Sequence, residues 1–275
     1  MKLSFLVDNK TENCDCFAEW GLSILIESNG HRVLMDVGAS DVFIKNAASM
    51  GIDLSDVEAV YISHGHYDHT EGMEAFSSLN TDAPIFIHNE AFHKSYGVDD
   101  NGNAEESNCG LRWDDSLIET LKPRFVLTEG VWTINDNMTL VGNIPVTGDF
   151  NPTEKFLRET ENGLEPDPMN HEQFLAVEED EKIYILSGCC HKGVVPTIMR
   201  AKELFPGKTL QAVIGGFHMY PLKKTEREKM VSQIKELGVK KVYPLHCTGM
   251  DAIVEFKRQM GDDCVIACAG DVYEL

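Results

Sequence analysis

Apolar and polar residues fall in short blocks along this chain. Apolar or β-branched runs at residues 3–7, 22–27, 32–37, 57–63 and 85–87 are each bounded by polar or turn-forming residues, among them Asp8-Asn9 and Ser28-Asn29-Gly30. Runs of this kind predict strands, with a hairpin across Ser28-Asn29-Gly30. The spacing of Val42, Ile44 and Ala48 predicts a helix over 41–50, stopped by Gly51. A short helix is predicted at 70–78. The second half alternates in the same way. It predicts hairpins at 131–141 and 174–186, a helix at 194–204, a strand at 211–214 and an amphipathic helix at 225–237 ended by Gly238. A strand at 239–245, a helix at 252–260 and a last strand at 264–267 follow. Two runs of strands, each followed by helices, predict the α/β class with two packed sheets and helices outside. No repeat of about 20 to 50 residues interrupts that order.

Two stretches stand apart. Residues 151–168 are rich in Glu, Asn, Gly and Pro and are expected to form a loop. Residues 89–130 are polar, with Asp99-Asp100-Asn101-Gly102-Asn103 in their first half and a single periodic segment at 114–121. A long irregular insertion in a compact domain is usually functional. The chain is therefore read as one domain, 1–275, with a lid or substrate-binding insertion at 89–130. Phe92, His93, Tyr96 and Trp113 are its candidates for touching a substrate or anchoring the lid.

Composition narrows the function. With 275 residues and 43% hydrophobic content, the chain can bury a substantial core. A formal charge of −21 repels phosphate backbones and argues against a nucleic-acid partner. It leaves room for small anionic substrates if a metal supplies local positive charge. The apolar run near the start is too short for a signal peptide, and no stretch has the length of a membrane span. The expectation is a cytoplasmic protein without membrane contact, acting on a small molecule. Its eight cysteines are then free thiols or metal ligands. Cys14-x-Cys16 and Cys264-x3-Cys268 lack the paired spacing of a structural zinc site and are assigned to packing.

The chemistry concentrates where the predicted strand 57–63 ends. Ser63-His64-Gly65-His66-Tyr67-Asp68-His69 places three histidines and an aspartate within six residues, in a chain with only ten histidines. A chance cluster in a polar loop is improbable. Neutral imidazole and carboxylate are the usual ligands of zinc and similar divalent ions. By alternation His64 and His66 point one way, and Asp68 and His69 face the neighbouring position. Asp36, at the end of the strand 32–37, is either a turn residue or a hydrogen-bond support for the loop. His88 is read as structural. His171 precedes the hairpin 174–186 and Cys189 follows it, so the hairpin returns one near the other; Cys190 is an equal rival to Cys189. His246 ends a strand, as the loop at 64–69 does. His191 and His218 also follow strands and are candidates for substrate contact or proton transfer.

The pattern His-x-His-x-Asp-His resembles the metallo-β-lactamase superfamily. That resemblance implies a four-layer αββα sandwich. It also implies that His64, His66 and His171 hold one metal, and Asp68, His69, Cys189 and His246 the other. Cys189 stands where the hydrolases of the superfamily commonly carry an acid; a thiolate is also a good zinc ligand. The implied cofactor is one or two zinc ions, with iron or manganese as alternatives. The implied activity is hydrolysis of an ester, phosphoester or related bond by metal-activated water, with Asp68 at the reacting centre and His191 or His218 protonating the leaving group. Val7-Asp8-Asn9, Gly21-Leu22-Ser23, Ser187-Gly188-Cys189-Cys190-His191, Gly215-Gly216-Phe217-His218 and His246-Cys247-Thr248-Gly249 narrow the resemblance. They are similar to a branch that includes 7,8-dihydropterin-6-methyl-4-(β-D-ribofuranosyl)aminobenzene-5′-phosphate synthase. That branch implies an alternative, transfer of a pterin from its diphosphate to an arylamine. A metal-binding sensor or a di-iron oxidoreductase ranks below both.

Overall fold

The computed structural model describes residues 1–99, 101–146 and 155–275. The chain divides into two compact units. The first comprises Met1–Glu129, Glu154–His171 and Cys268–Leu275; the second comprises Gly130–Thr153 and Glu172–Ala267.

The first unit is built on a seven-stranded sheet. Its order is Val272–Glu274, Lys2–Val7, Ser23–Ser28, His31–Met35, Ala59–Tyr61, Ile85–His88 and Phe125–Thr128. The four strands at the Val272–Glu274 end pair antiparallel; from His31–Met35 onward the pairing is parallel. Parallel neighbours need a crossover. Helix Val42–Ser49, helix Met73–Leu79 and helix Asp115–Leu121 lie in the successive crossovers. The central strands carry apolar side chains on both faces and are buried throughout, which is why they read as continuous apolar runs. Leu34, Val60, Ile85, Phe43 and Phe76 share one core.

Three expectations change here. Residues 89–130 are less irregular than their composition suggests, since Phe125–Thr128 is a parallel strand at one end of the main sheet. The part of 151–168 that lies within the described residues is a hairpin, Phe156–Thr160 with Gly163–Pro166, whose first strand pairs with Ser95–Gly97. Pairing with a distant strand, not local propensity, makes it a strand. The predicted last strand at 264–267 is only a bridge between Cys264 and Val242, and the terminal strand is Val272–Glu274.

The second unit holds a six-stranded sheet, in the order Lys241–Leu245, Thr209–Gly216, Lys182–Ser187, Phe174–Glu179, Met138–Val141 and Val131–Asn135. The first three are mutually parallel. Helices Val194–Leu204, Lys224–Glu236 and Met250–Met260 supply the helical layer of this unit, and its core includes Phe174, Ile185, Ile198, Val213, Val231 and Phe256. The parallel strands end at Ser187, Gly216 and Leu245, directly before Cys189, His218 and His246. The carboxyl ends of parallel strands are where α/β sheets place their ligands. Among the described residues no helix is long and apolar enough to cross a membrane.

Asn46 shows how a helix is fastened to the first sheet. Its amide donates to Leu6 O at 2.7 Å and Phe17 O at 2.8 Å, and its carbonyl accepts from Phe17 N at 2.8 Å. Asn46→Leu strands these buried groups and is expected to lower unfolding free energy by about 2–4 kcal/mol. Equilibrium urea denaturation measures it; a loss below about 0.5 kcal/mol contradicts this account of the helix.

Candidate metal centre

The loop after strand Ala59–Tyr61 is shaped by one buried carboxylate. Asp36 sits in the left-handed region, φ +53°, at the turn after strand His31–Met35. Its Oδ1 accepts from Ser63 N at 2.7 Å. Its Oδ2 accepts from Ser63 Oγ at 2.7 Å and contacts His69 Nδ1 at 2.6 Å. The turn aspartate is thus a support for the loop. A carboxylate only accepts, so His69 donates from Nδ1 and its Nε2 carries the lone pair. The Ser63 hydroxyl gives its single proton to Asp36, so it accepts from His64 Nδ1, 2.9 Å away. His64 Nε2 therefore also carries a lone pair.

The surroundings suit a divalent ion. The His64 ring lies 4.6 Å from that of His66 and 4.2 Å from that of His69. Asp68 Oδ2 stands 4.0 Å from His69 Nε2. Burial pushes His66 down to about 3, against the upward pull of Asp68, so its imidazole is neutral. Neutral imidazoles, held in a chosen tautomer by a carboxylate behind them, are the donor chemistry of a zinc-type site.

His171 meets the same loop at its backbone, and its buried Nε2 has no hydrogen-bond partner among the described residues. Its Nδ1 accepts from Gly65 N at 3.0 Å. Its ring lies 6.3 Å from that of His64 and 6.1 Å from that of His66. Nε2 faces Asp167 Oδ2 at 3.6 Å, and Asp167 meets His93 Nε2 at 2.7 Å. Segment 89–130 also braces the loop through its backbone. Tyr67 N donates to Cys109 O at 3.0 Å and Trp113 Nε1 donates to Thr70 O at 2.9 Å. Trp113 and Phe92 pack with Phe125, as anchors of the segment. Tyr96 lies in the strand that pairs with Phe156–Thr160. His88 is buried, and its Nδ1 accepts from Glu90 N at 3.1 Å, a structural contact.

The second unit presents its own cluster at the ends of the three parallel strands. Ligand atoms of Cys189, His218 and Cys247 lie within 4.8 Å of one another. The geometry separates the two rival cysteines. Cys190 is packed in the core of the unit and donates to Ser187 Oγ at 3.2 Å, and burial raises its thiol well above the usual range. Cys189 is the one that faces other donors. Burial pushes the Cys247 thiol up, but hydrogen bonding at Cys189 and the charges of His246 and His218 outweigh it and hold it well below its ordinary value. The rings of His191 and His218 are 4.4 Å apart. His246, buried, begins the turn after Leu245. Cys190, His218 and His246 all adopt positive φ, at 51°, 49° and 46°. Left-handed non-glycine residues cost about 1–3 kcal/mol each and gather at functional sites.

Sequence reasoning missed three of these residues. Glu172, fully buried, accepts from His191 N at 2.5 Å and Lys192 N at 2.8 Å, and burial pushes its carboxyl up to about 7. It fixes the turn that carries Cys189 and His191. Asp167 and Cys247 are the others. Their only signal was adjacency to a named histidine or to the loop 151–168.

The chain is similar to known proteins over most of its length. It is 30% identical to 7,8-dihydropterin-6-methyl-4-(β-D-ribofuranosyl)-aminobenzene-5′-phosphate synthase of Methanocaldococcus jannaschii, over 96% of this chain and 92% of the relative. A crystal structure of a metal-dependent hydrolase of the β-lactamase superfamily matches with 33% identity and a TM-score of 0.86, covering 100% of this chain and 99% of that one. Zinc-bound PqqB from Methylobacterium extorquens shares the fold, with a TM-score of 0.56 at 10% identity, covering 100% of both chains. A family model described as anti-Pycsar protein Apyc1 matches residues 11–88.

The support given by Asp36 is open to test. Asp36→Ala is expected to weaken zinc affinity by about 10–100-fold, the usual cost of removing a partner behind a ligand. Competition titration against a chromophoric chelator reads it. Unchanged affinity in a folded Asp36→Ala protein would remove Asp36 from the site.

Proposed function

Because the chain belongs to the metallo-β-lactamase superfamily, we propose that it is a metal-dependent hydrolase of a small molecule. The bond broken is an ester, phosphoester or related linkage. The observation that carries the reading is the pair His64 and His69, each held by hydrogen bonds at Nδ1 so that Nε2 is the donor atom. His64, His66, Asp68 and His69 are the ligands supplied by the loop, and His171, Cys189 and His246 are carried over from the superfamily pattern. The mixture of imidazole, carboxylate and thiol favours zinc, with iron and manganese as the alternatives. A bound ion of this kind supplies Lewis acidity and activates water near neutral pH. Asp36 keeps the histidines in their coordinating tautomer, and burial keeps His66 neutral. His191 and His218 are assigned to protonating the leaving group. Residues 89–130 are assigned to the substrate side of the loop. The net charge of −21 argues against a nucleic-acid partner and favours a small-molecule substrate.

A second reading is group transfer. It is favoured by one finding, the synthase relative that matches nearly the whole chain. An arylamine would then replace water as the nucleophile, and diphosphate would leave in place of an alcohol or phosphate.

His66→Ala and Asp68→Ala are each expected to reduce bound metal and to lower turnover by about 100-fold or more. Elemental analysis and a panel of phosphodiester and ester substrates measure this. Full metal content and activity in both variants would overturn the assignment. Incubation with a dihydropterin diphosphate, with and without an aminobenzene riboside phosphate, separates the two readings. Hydrolysis without the amine supports the first, and a joined product formed only with it supports the second.

A further inference from the structure

We infer that Cys189, His218 and Cys247 form a thiol-rich binding site for a single zinc-type cation, built entirely within the second unit. This goes beyond the reading of 64–69 as a metal loop and does not need it. Cys189 is common to both, since a thiolate has lone pairs for two ions. With His218 as a ligand, proton transfer is left to His191.

One ligand atom from each of the three residues lies within 4.8 Å of the other two. Zinc bonds of about 2.3 Å to sulfur and about 2.0 Å to nitrogen, at tetrahedral angles, set ligand atoms about 3.5–3.8 Å apart. An ion at the centre therefore asks for a contraction of about 1 Å, a small rotation of the side chains. Packing alone does not account for the approach. Cys190 and Cys264 lie in the apolar core of the unit. Cys189 and Cys247 turn toward an imidazole instead, and Cys247 Sγ donates to Cys189 O at 3.7 Å. Two thiolates and an imidazole are the donor set of one class of three-ligand zinc site, which keeps a fourth position open.

The backbone around the three residues is tied into one frame. Gly216 N donates to Gly188 O at 2.7 Å, which joins the strand end before His218 to the turn that carries Cys189. Met219 N and Tyr220 N both donate to Cys247 O, at 3.2 Å and 3.3 Å, and Phe217 N donates to Thr248 Oγ1 at 3.0 Å. These contacts hold His218 and Cys247 on adjoining turns. A site fixed by its backbone presents its ligands before the ion arrives, which lowers the ordering cost of binding.

Gly216 is an independent mark of the site. A Cβ there would lie 2.6 Å from Cys247 Sγ, 2.6 Å from Gly188 O and 3.4 Å from Cys189 Cα. Any other residue would push between the two cysteines. His218 stands at φ +49°, a conformation that favours glycine, yet it carries the imidazole. Both cysteines are buried, whereas His218 is half-buried and the exposed Tyr220 sets its ring 5.4 Å from that of His218, so an ion reaches the sulfurs from this side. The loop at 64–69 offers imidazole and carboxylate, and this cluster offers sulfur. A thiophilic ion prefers the cluster.

Cobalt(II) titration of the full-length protein tests the site, because thiolate ligands give cobalt a near-ultraviolet charge-transfer band that imidazole and carboxylate do not. The unmutated protein is expected to show the band of two thiolates. Cys247→Ala is expected to lose about half of that intensity, and to bind cobalt more weakly than the loss of a supporting partner would explain, about 10–100-fold. His218→Ala is expected to weaken affinity in the same way, while Cys190→Ala, which changes a thiol of the core, leaves the band unchanged. Zinc-loaded His66→Ala protein keeps Cys247 and disables the loop, so it serves if Cys247→Ala does not fold. Zinc-edge X-ray absorption of it is expected to count two sulfurs. A band unchanged in Cys247→Ala, or one sulfur or fewer in the His66→Ala protein, would overturn the inference. The metal loop is judged separately, by the metal equivalent that His66→Ala loses.

Discussion

The carboxylate of Asp36 is the contact on which the rest of the first unit's chemistry depends. Burying an ionised carboxylate is costly unless its oxygens are satisfied. Asp36 is satisfied by a backbone N–H, a hydroxyl and an imidazole N–H, all from the loop it supports. The same contacts that make its burial tolerable decide where the protons of His64 and His69 reside. Fold and donor chemistry are therefore one arrangement. Asp36 reaches it from a left-handed backbone, which aspartate tolerates better than most residues. The backbone around it is tied to the loop as well, since Val37 N donates to His69 O at 2.9 Å and Leu22 N to Asp68 O at 3.3 Å. A Cβ at Gly72 would lie 2.1 Å from Val37 O, so the chain leaving the loop must pass close by that turn.

Much of this was legible in the sequence, and the limit has a physical basis. The buried strands of the main sheets announce themselves because both faces are apolar. The metal loop announces itself because few sequences place so many donors together. Asp36 was readable only as an alternative between turn and support, since sequence gives its position but not the groups it meets. The hairpin at Phe156–Thr160 and the three-residue strand Val272–Glu274 were not readable, because their partners lie far away in the chain. Asp167, Glu172 and Cys247 escaped for a related reason. Each is a lone polar residue, and its importance comes from burial beside particular groups.

The second unit reaches its cluster by close approach of parallel strands. A Cβ on Gly215 would fall 1.9 Å from Ser187 O, and one on Gly216 would fall 2.6 Å from Cys247 Sγ. Glycine at these two positions lets the strand ends Ser187, Gly216 and Leu245 stand close enough for the following turns to bring Cys189, His218 and Cys247 within reach of one another. The turns then spend backbone strain at Cys190, His218 and His246, where glycine would adopt the same conformation without it. At His218 and His246 the strain keeps imidazole side chains at strand ends where glycine would be the easier residue, while Glu172, buried, holds the amides of His191 and Lys192 in the neighbouring turn.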